Sequence, residues 1–154
     1  MRVSRVFTVL AVVVAAGVAC KDNVTGIPAG LEVFTATLNG ANEAPTPVTT
    51  TATGAAIVTV LGNLVTWKVD ILTPIDSIIA GHIHRRAADS VAGNVRVDFL
   101  VAATGPGFTG TATLGSQANV ADSVLALMRQ GRSYVNIHTK AHTGGEIRGT
   151  LVKQ

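Results

Sequence analysis

"GAAIVTVLGNLVTWKVDI", residues 54–71, is apolar at every second position on both sides of Gly62-Asn63. In its second half Val65, Trp67, Val69 and Ile71 fall on one side, and Thr66, Lys68 and Asp70 on the other. A period of two places successive side chains on opposite faces of an extended chain, so one face is fitted for burial and the other for water. A Gly-Asn pair between two such runs predicts a two-residue turn and hence an antiparallel hairpin.

The same period recurs outward from this hairpin. Upstream, "VFTATLNG" sets Phe34, Ala36 and Leu38 against Thr35 and Thr37. Downstream, "SIIAGHIH" is a strand, and "NVRVDFLV" sets Val95, Val97 and Phe99 against Arg96 and Asp98. "GFTGTATL" alternates more weakly, and "SYVNIHT" and "GEIRGTLV" close the chain as two further strands joined by "KAHTGG". "QANVADSVLALMRQG" breaks the pattern: Val120, Val124, Leu127 and Met128 recur at the spacing of one helical face. A short helix is expected over residues 119–130, with Asn119 as N-cap and Gly131 just past its end. Many short strands and one helix predict an all-β, antiparallel sandwich or flattened barrel.

The first twenty residues have another character. Arg2 and Arg5 precede the apolar run "VFTVLAVVVAAGVA", which ends at Cys20, the single cysteine. A basic start and a short apolar stretch make a secretory signal and leave too little length to span a bilayer. "GVAC" resembles the lipobox of bacterial lipoproteins, which implies that Cys20 is lipidated and becomes the new N-terminus. The expected division is a signal peptide over 1–20, a tether over 21–30 and one domain over 31–154. The expected location is extracytoplasmic, with the protein anchored to a membrane through its N-terminal lipid or otherwise secreted.

Twelve Lys and Arg face nine Asp and Glu; without Arg2 and Arg5 the balance is ten against nine, a net charge of +1. So small a charge argues against nucleic acid as a partner. With one cysteine the domain has no internal disulfide and rests on its core.

Alternation then places a set of polar residues together. With Ile83 inward, His82 and His84 point away from the core; with Val135 and Ile137 inward, so do Tyr134, Asn136 and His138. With Ile147 inward, Glu146 and Arg148 follow. If their strands are neighbours, these residues form one patch.

"LNGANEAP", "GHIH", "YVNIHT" and "GGEIRGTL", in that order, resemble the CHRD domain, named after chordin and widespread in bacterial secreted proteins. The resemblance covers roughly residues 33–152 and implies a β-sandwich of immunoglobulin-like or related type. It differs in detail, since the family usually runs Glu-Val-Pro-Pro where this chain has Glu43-Ala44-Pro45-Thr46-Pro47. "HIH" also resembles the paired copper ligands of copper-zinc superoxide dismutase, whose sandwich is a plausible relative. That enzyme's further zinc ligands and disulfide cysteines have no equivalents here.

Three readings of the patch stand side by side. Alternate residues of one strand start about 7 Å apart on one face, so His82 and His84 can converge on copper or zinc, with His138 from another strand and His142 as a further donor. Alternatively the imidazoles, Glu43, Glu146 and Arg148 form a structural polar network, with Glu43 tying its loop to Arg148. Or the domain is a non-catalytic binding or scaffolding module for an extracellular protein or glycan. No nucleophile elbow, H-E-x-x-H or P-loop pattern is present, and Asp70, Asp98 and Glu146 carry no supporting pattern for paired-carboxylate chemistry.

Overall fold

The computed structural model describes residues 28–86 and 92–154. The signal segment, Cys20 and most of the tether lie outside these residues. The described chain is all-β with one short helix, a sheet nearly closed into a barrel-like sandwich. The strands are β1 (Leu31–Asn39), β2 (Thr53–Leu61), β3 (Leu64–Ile75), β4 (Ile78–Arg85), β5 (Val95–Asp98), β6 (Phe108–Gln117), β7 (Ser133–Thr139), β8 (Ile147–Thr150) and β9 (Val152–Lys153). Helix α1 (Asp122–Arg129) lies between β6 and β7. All pairings are antiparallel, in the order β5-β4-β7-β8-β1-β2-β3-β6, with β9 on β1.

The expected hairpin forms as read. Leu61 pairs with Leu64 across Gly62-Asn63, and Gly62 takes φ +60°, which fits the first central position of a type II′ turn. The alternating apolar set is the core: Phe34, Leu38, Val58, Val65, Val69, Ile83, Val135, Ile137 and Ile147 are fully buried. Burying each such side chain stabilises by about 1.5–3 kcal/mol. The strand at one end of the order is joined to the other by the segment after β5. Phe99 N–H donates to Gly81 O at 2.9 Å, and Thr113 Oγ1 of β6 donates to Phe99 O at 3.2 Å. Phe99 also stacks on Trp67, ring centroids 5.0 Å apart, and Trp67 Nε1 donates to Thr113 Oγ1 at 3.1 Å. Trp67 is therefore core, with its one polar atom satisfied.

Some local expectations change. β5 ends at Asp98, so Phe99 lies beyond the strand although buried, and Val95 is exposed because the β4–β5 register shifts between Ile83 and His84. The weakly alternating "GFTGTATL" belongs to the ten-residue β6, paired along β3 with two register shifts that blur its period. The last run is split into β8 and β9 at Leu151, whose N–H turns to Ser133 O.

The helix also starts later than expected. Its N-cap is Ala121, with no side-chain cap, and Asn119 instead sits at φ +57° against the β2–β3 turn, where Oδ1 accepts from Asn63 Nδ2 at 3.4 Å. Its end does match. Gly131 at φ +66° donates to Met128 O and Arg132 donates to Leu127 O, the paired bonds of a Schellman motif that glycine enters without a Cβ penalty. Arg129 of the helix and Lys153 of β9 both grip Glu32 of β1, at 2.6 and 2.7 Å.

Candidate metal centre

β4, β7 and β8 are neighbours, so the polar residues read from three separate stretches do share a face. His82 lies opposite Asn136, which lies opposite Arg148; His84 lies opposite Tyr134, and Ala80 opposite His138. The expected outward exposure is not found. Glu43, His84, Asn136, His138, Glu146 and Arg148 are all at least 90% buried, and His82 is half-buried. Three connecting segments roof this side of the sheet. The loop after β1 brings Glu43, Thr50 and Asn42, whose Nδ2 donates to Arg148 O at 3.1 Å. The segment before β5 brings Gly93, and the β7–β8 loop brings Thr143 and Gly145.

His82, His84 and His138 each offer one ring nitrogen within 4.8 Å of the others'. Their hydrogen bonds fix which nitrogens are bare. Nδ1 of His84 is 2.8 Å from Gly93 O, and Nδ1 of His138 is 3.0 Å from Thr143 O. A carbonyl only accepts, so both Nδ1 atoms carry the proton, and both Nε2 atoms are lone-pair acceptors in the neutral rings. Nε2 of His138 accepts from Nδ1 of His82 at 3.0 Å. Nε2 of His84 is buried and has no hydrogen-bond partner. Burial lowers the pKa of all three imidazoles, that of His84 to about 4, so each is neutral at neutral pH. For His82 the nearby Asp98 carboxylate partly opposes this shift.

Supports surround the cluster. Tyr134 stacks on His84 with centroids 4.9 Å apart and planes within 3°, and the Arg148 guanidinium carbon lies 3.5 Å from the Tyr134 ring centre. The Tyr134 hydroxyl accepts from Gly93 N–H at 3.2 Å, so Gly93 bonds both members of the stack. Thr50 Oγ1 and Thr139 Oγ1 donate to the two oxygens of Glu146 at 2.8 and 2.7 Å. The Arg148 charge favours an ionised Glu43, but burial dominates and raises its pKa to about 7. Glu43 Oε2 is 3.5 Å from Asn136 Nδ2, while Glu43 Oε1 and Asn136 Oδ1 are buried without partners.

His142 lies outside the three-histidine cluster. Its main chain shapes the β7–β8 loop, its carbonyl accepting from Thr139 and Gly145 N–H, while its side chain borders a separate cleft of about 250 Å³ with Glu43. Period-two alternation found the histidines. It had no access to the roles of the Thr50 and Thr139 hydroxyls or of the Gly93 and Thr143 carbonyls, because a period of two says nothing of how the connecting loops fold back over the strands.

The geometry defines a single all-β domain with a buried polar layer behind its apolar core. The CHRD domain family model matches residues 34–151, and the chain belongs to that family. No curated protein and no solved structure matches the chain.

Proposed function

We propose that this domain is a non-catalytic module that holds one copper or zinc ion through His82, His84 and His138. The observation that carries this reading is the buried, unpartnered Nε2 of His84 beside two further imidazoles. An orphaned buried acceptor costs about 1–3 kcal/mol, and a cation in the cluster would satisfy it. An all-imidazole donor set suits copper and zinc over magnesium or calcium. The Nδ1–H bonds to Gly93 O and Thr143 O are the kind of outer-shell support that fixes a ligating histidine's tautomer. Tetrahedral ligands at 2.0–2.1 Å from zinc sit about 3.3 Å from one another, so small ring movements from the present spacing would suffice.

One observation favours the purely structural network. His82 and His138 already satisfy each other at 3.0 Å without an ion. The N-terminal signature further supports an exported protein tethered through Cys20, presenting this domain outside the cytoplasm to a protein or glycan partner. Trp67 and Tyr134 are both buried and offer a sugar no stacking face.

Elemental analysis and calorimetric titration with Zn²⁺ and Cu²⁺ test the metal reading. One equivalent is expected for the wild type, with binding lost in the His82→Ala, His84→Ala double variant and retained in His142→Ala. Equal heats from wild type and double variant would leave the network as the role of these histidines. For the tether, wild-type protein should partition into detergent and Cys20→Ala into water.

A further inference from the structure

In the ion-free arrangement the proton of neutral His82 sits on Nδ1, where it bonds His138 Nε2. If an ion takes Nδ1 of His82, as that nitrogen's place beside His138 Nε2 favours, Nδ1 must be bare and the proton must sit on Nε2 instead. The ring keeps one proton, and its tautomer changes. His84 and His138 each have a backbone carbonyl for the N–H that does not face the cluster. His82 needs an acceptor of its own.

Resting on the metal reading above, we infer that Asp98 is that acceptor: a positioning residue that takes the His82 Nε2–H once an ion occupies the cluster. Asp98 lies directly opposite His82 in the β4–β5 ladder, so the two side chains share a face. Directly paired Cβ atoms are only about 4.5–5.5 Å apart. Leu100 N–H donates to Asp98 Oδ1 at 2.8 Å, which fixes the carboxylate beside the strand end. That bond uses one of roughly four lone-pair sites on an ionised carboxylate. His82 is also the least buried of the three, so its outer edge lies at the rim where exposed Asp98 stands. The carboxylate's field already acts on this imidazole.

The test compares Zn²⁺ affinity of the full domain with Asp98→Asn and, as a control of equal charge change on helix α1, Asp122→Asn. Asparagine keeps an oxygen for Leu100 N–H and removes the carboxylate. Loss of such an outer-shell partner weakens metal binding about 10–100-fold, and that loss is expected for Asp98→Asn alone. The imidazole nitrogen resonances of the zinc-loaded wild type should place zinc on Nδ1 and the proton on Nε2 of His82. Zinc bound equally by wild type and Asp98→Asn, or coordination of His82 through Nε2, would overturn the role of Asp98 and leave the three-histidine site standing. A wild type that takes up no zinc would overturn both.

Discussion

Tyr134 lies parallel to His84, centroids 4.9 Å apart, while its hydroxyl accepts from the same Gly93 whose carbonyl takes the His84 proton. The phenol thus fixes both the plane of one imidazole and the position of its hydrogen-bond acceptor. Tyr134→Phe removes only the hydroxyl contact and should cost about 1 kcal/mol. Tyr134→Leu also loses the stack and the Arg148 contact and should cost about 2–4 kcal/mol. Urea unfolding midpoints of the two variants, compared with wild type, check the order and the size.

The histidines make the ion-free fold acid-sensitive. Burial holds the pKa of His84 at about 4, below the 6.5 of an unperturbed imidazole. Between those values the unfolded chain binds more protons than the folded one. The stabilisation is therefore complete above pH 6.5 and lost as pH falls toward 4, by as much as ~3 kcal/mol for this ring. His84→Phe retains an aromatic stack and removes the titration. Thermal unfolding from pH 7 to 4 should show a shallower acid slope for that variant.

Glu43 works in the opposite sense. Its folded pKa of about 7 lies above the usual 4.5, mainly through burial. Its contribution is complete below pH 4.5 and is lost as pH rises through 7. Glu43→Gln should accordingly gain on wild type between pH 4.5 and 8, by up to ~3 kcal/mol, and the gain should appear in paired melts at those two pH values.

Gly145 and Gly144 give a matched pair. A Cβ on Gly145 would stand 2.5 Å from both amide atoms of Asn136 and 2.8 Å from Glu43 Oε1, at φ +128°; a Cβ on Gly144 would meet nothing within 4 Å. Gly145→Ala should destabilise by roughly 2 kcal/mol or more through the clash and the backbone strain, and Gly144→Ala should be near neutral. Chemical denaturation of both variants checks this contrast.

Much of the fold is legible in the chain because one strong rule governs it. Val65, Trp67, Val69 and Ile71 announce their face by alternation, and Gly131 announces the end of the helix. The side of His82, His84, Asn136 and His138 is legible for the same reason. Their burial is not, because a period of two separates two faces and cannot tell water from a roof of loops. That roof depends on how the loops carrying Glu43, Gly93 and Thr143 fold back over the strands, which alternation within a strand does not encode. Asn119 misleads in the same way: a residue suited to a helix cap is equally suited to a positive φ, and the contact with the Asn63 turn decides between them.

Glu32 is clamped by Arg129 and by Lys153, and Gln154 N–H donates to Val33 O at 2.9 Å. The described chain thus enters and leaves the sandwich side by side. Such a body can be threaded into a longer polypeptide as a bead, with the flanking segments meeting at a single point and the sheet itself uninterrupted. A stretching load applied across those two ends would peel β9 from β1 one bond at a time. The polar layer is held by the β4–β7–β8 ladder and its loops, apart from that line of force, and the first step of peeling would leave it undisturbed.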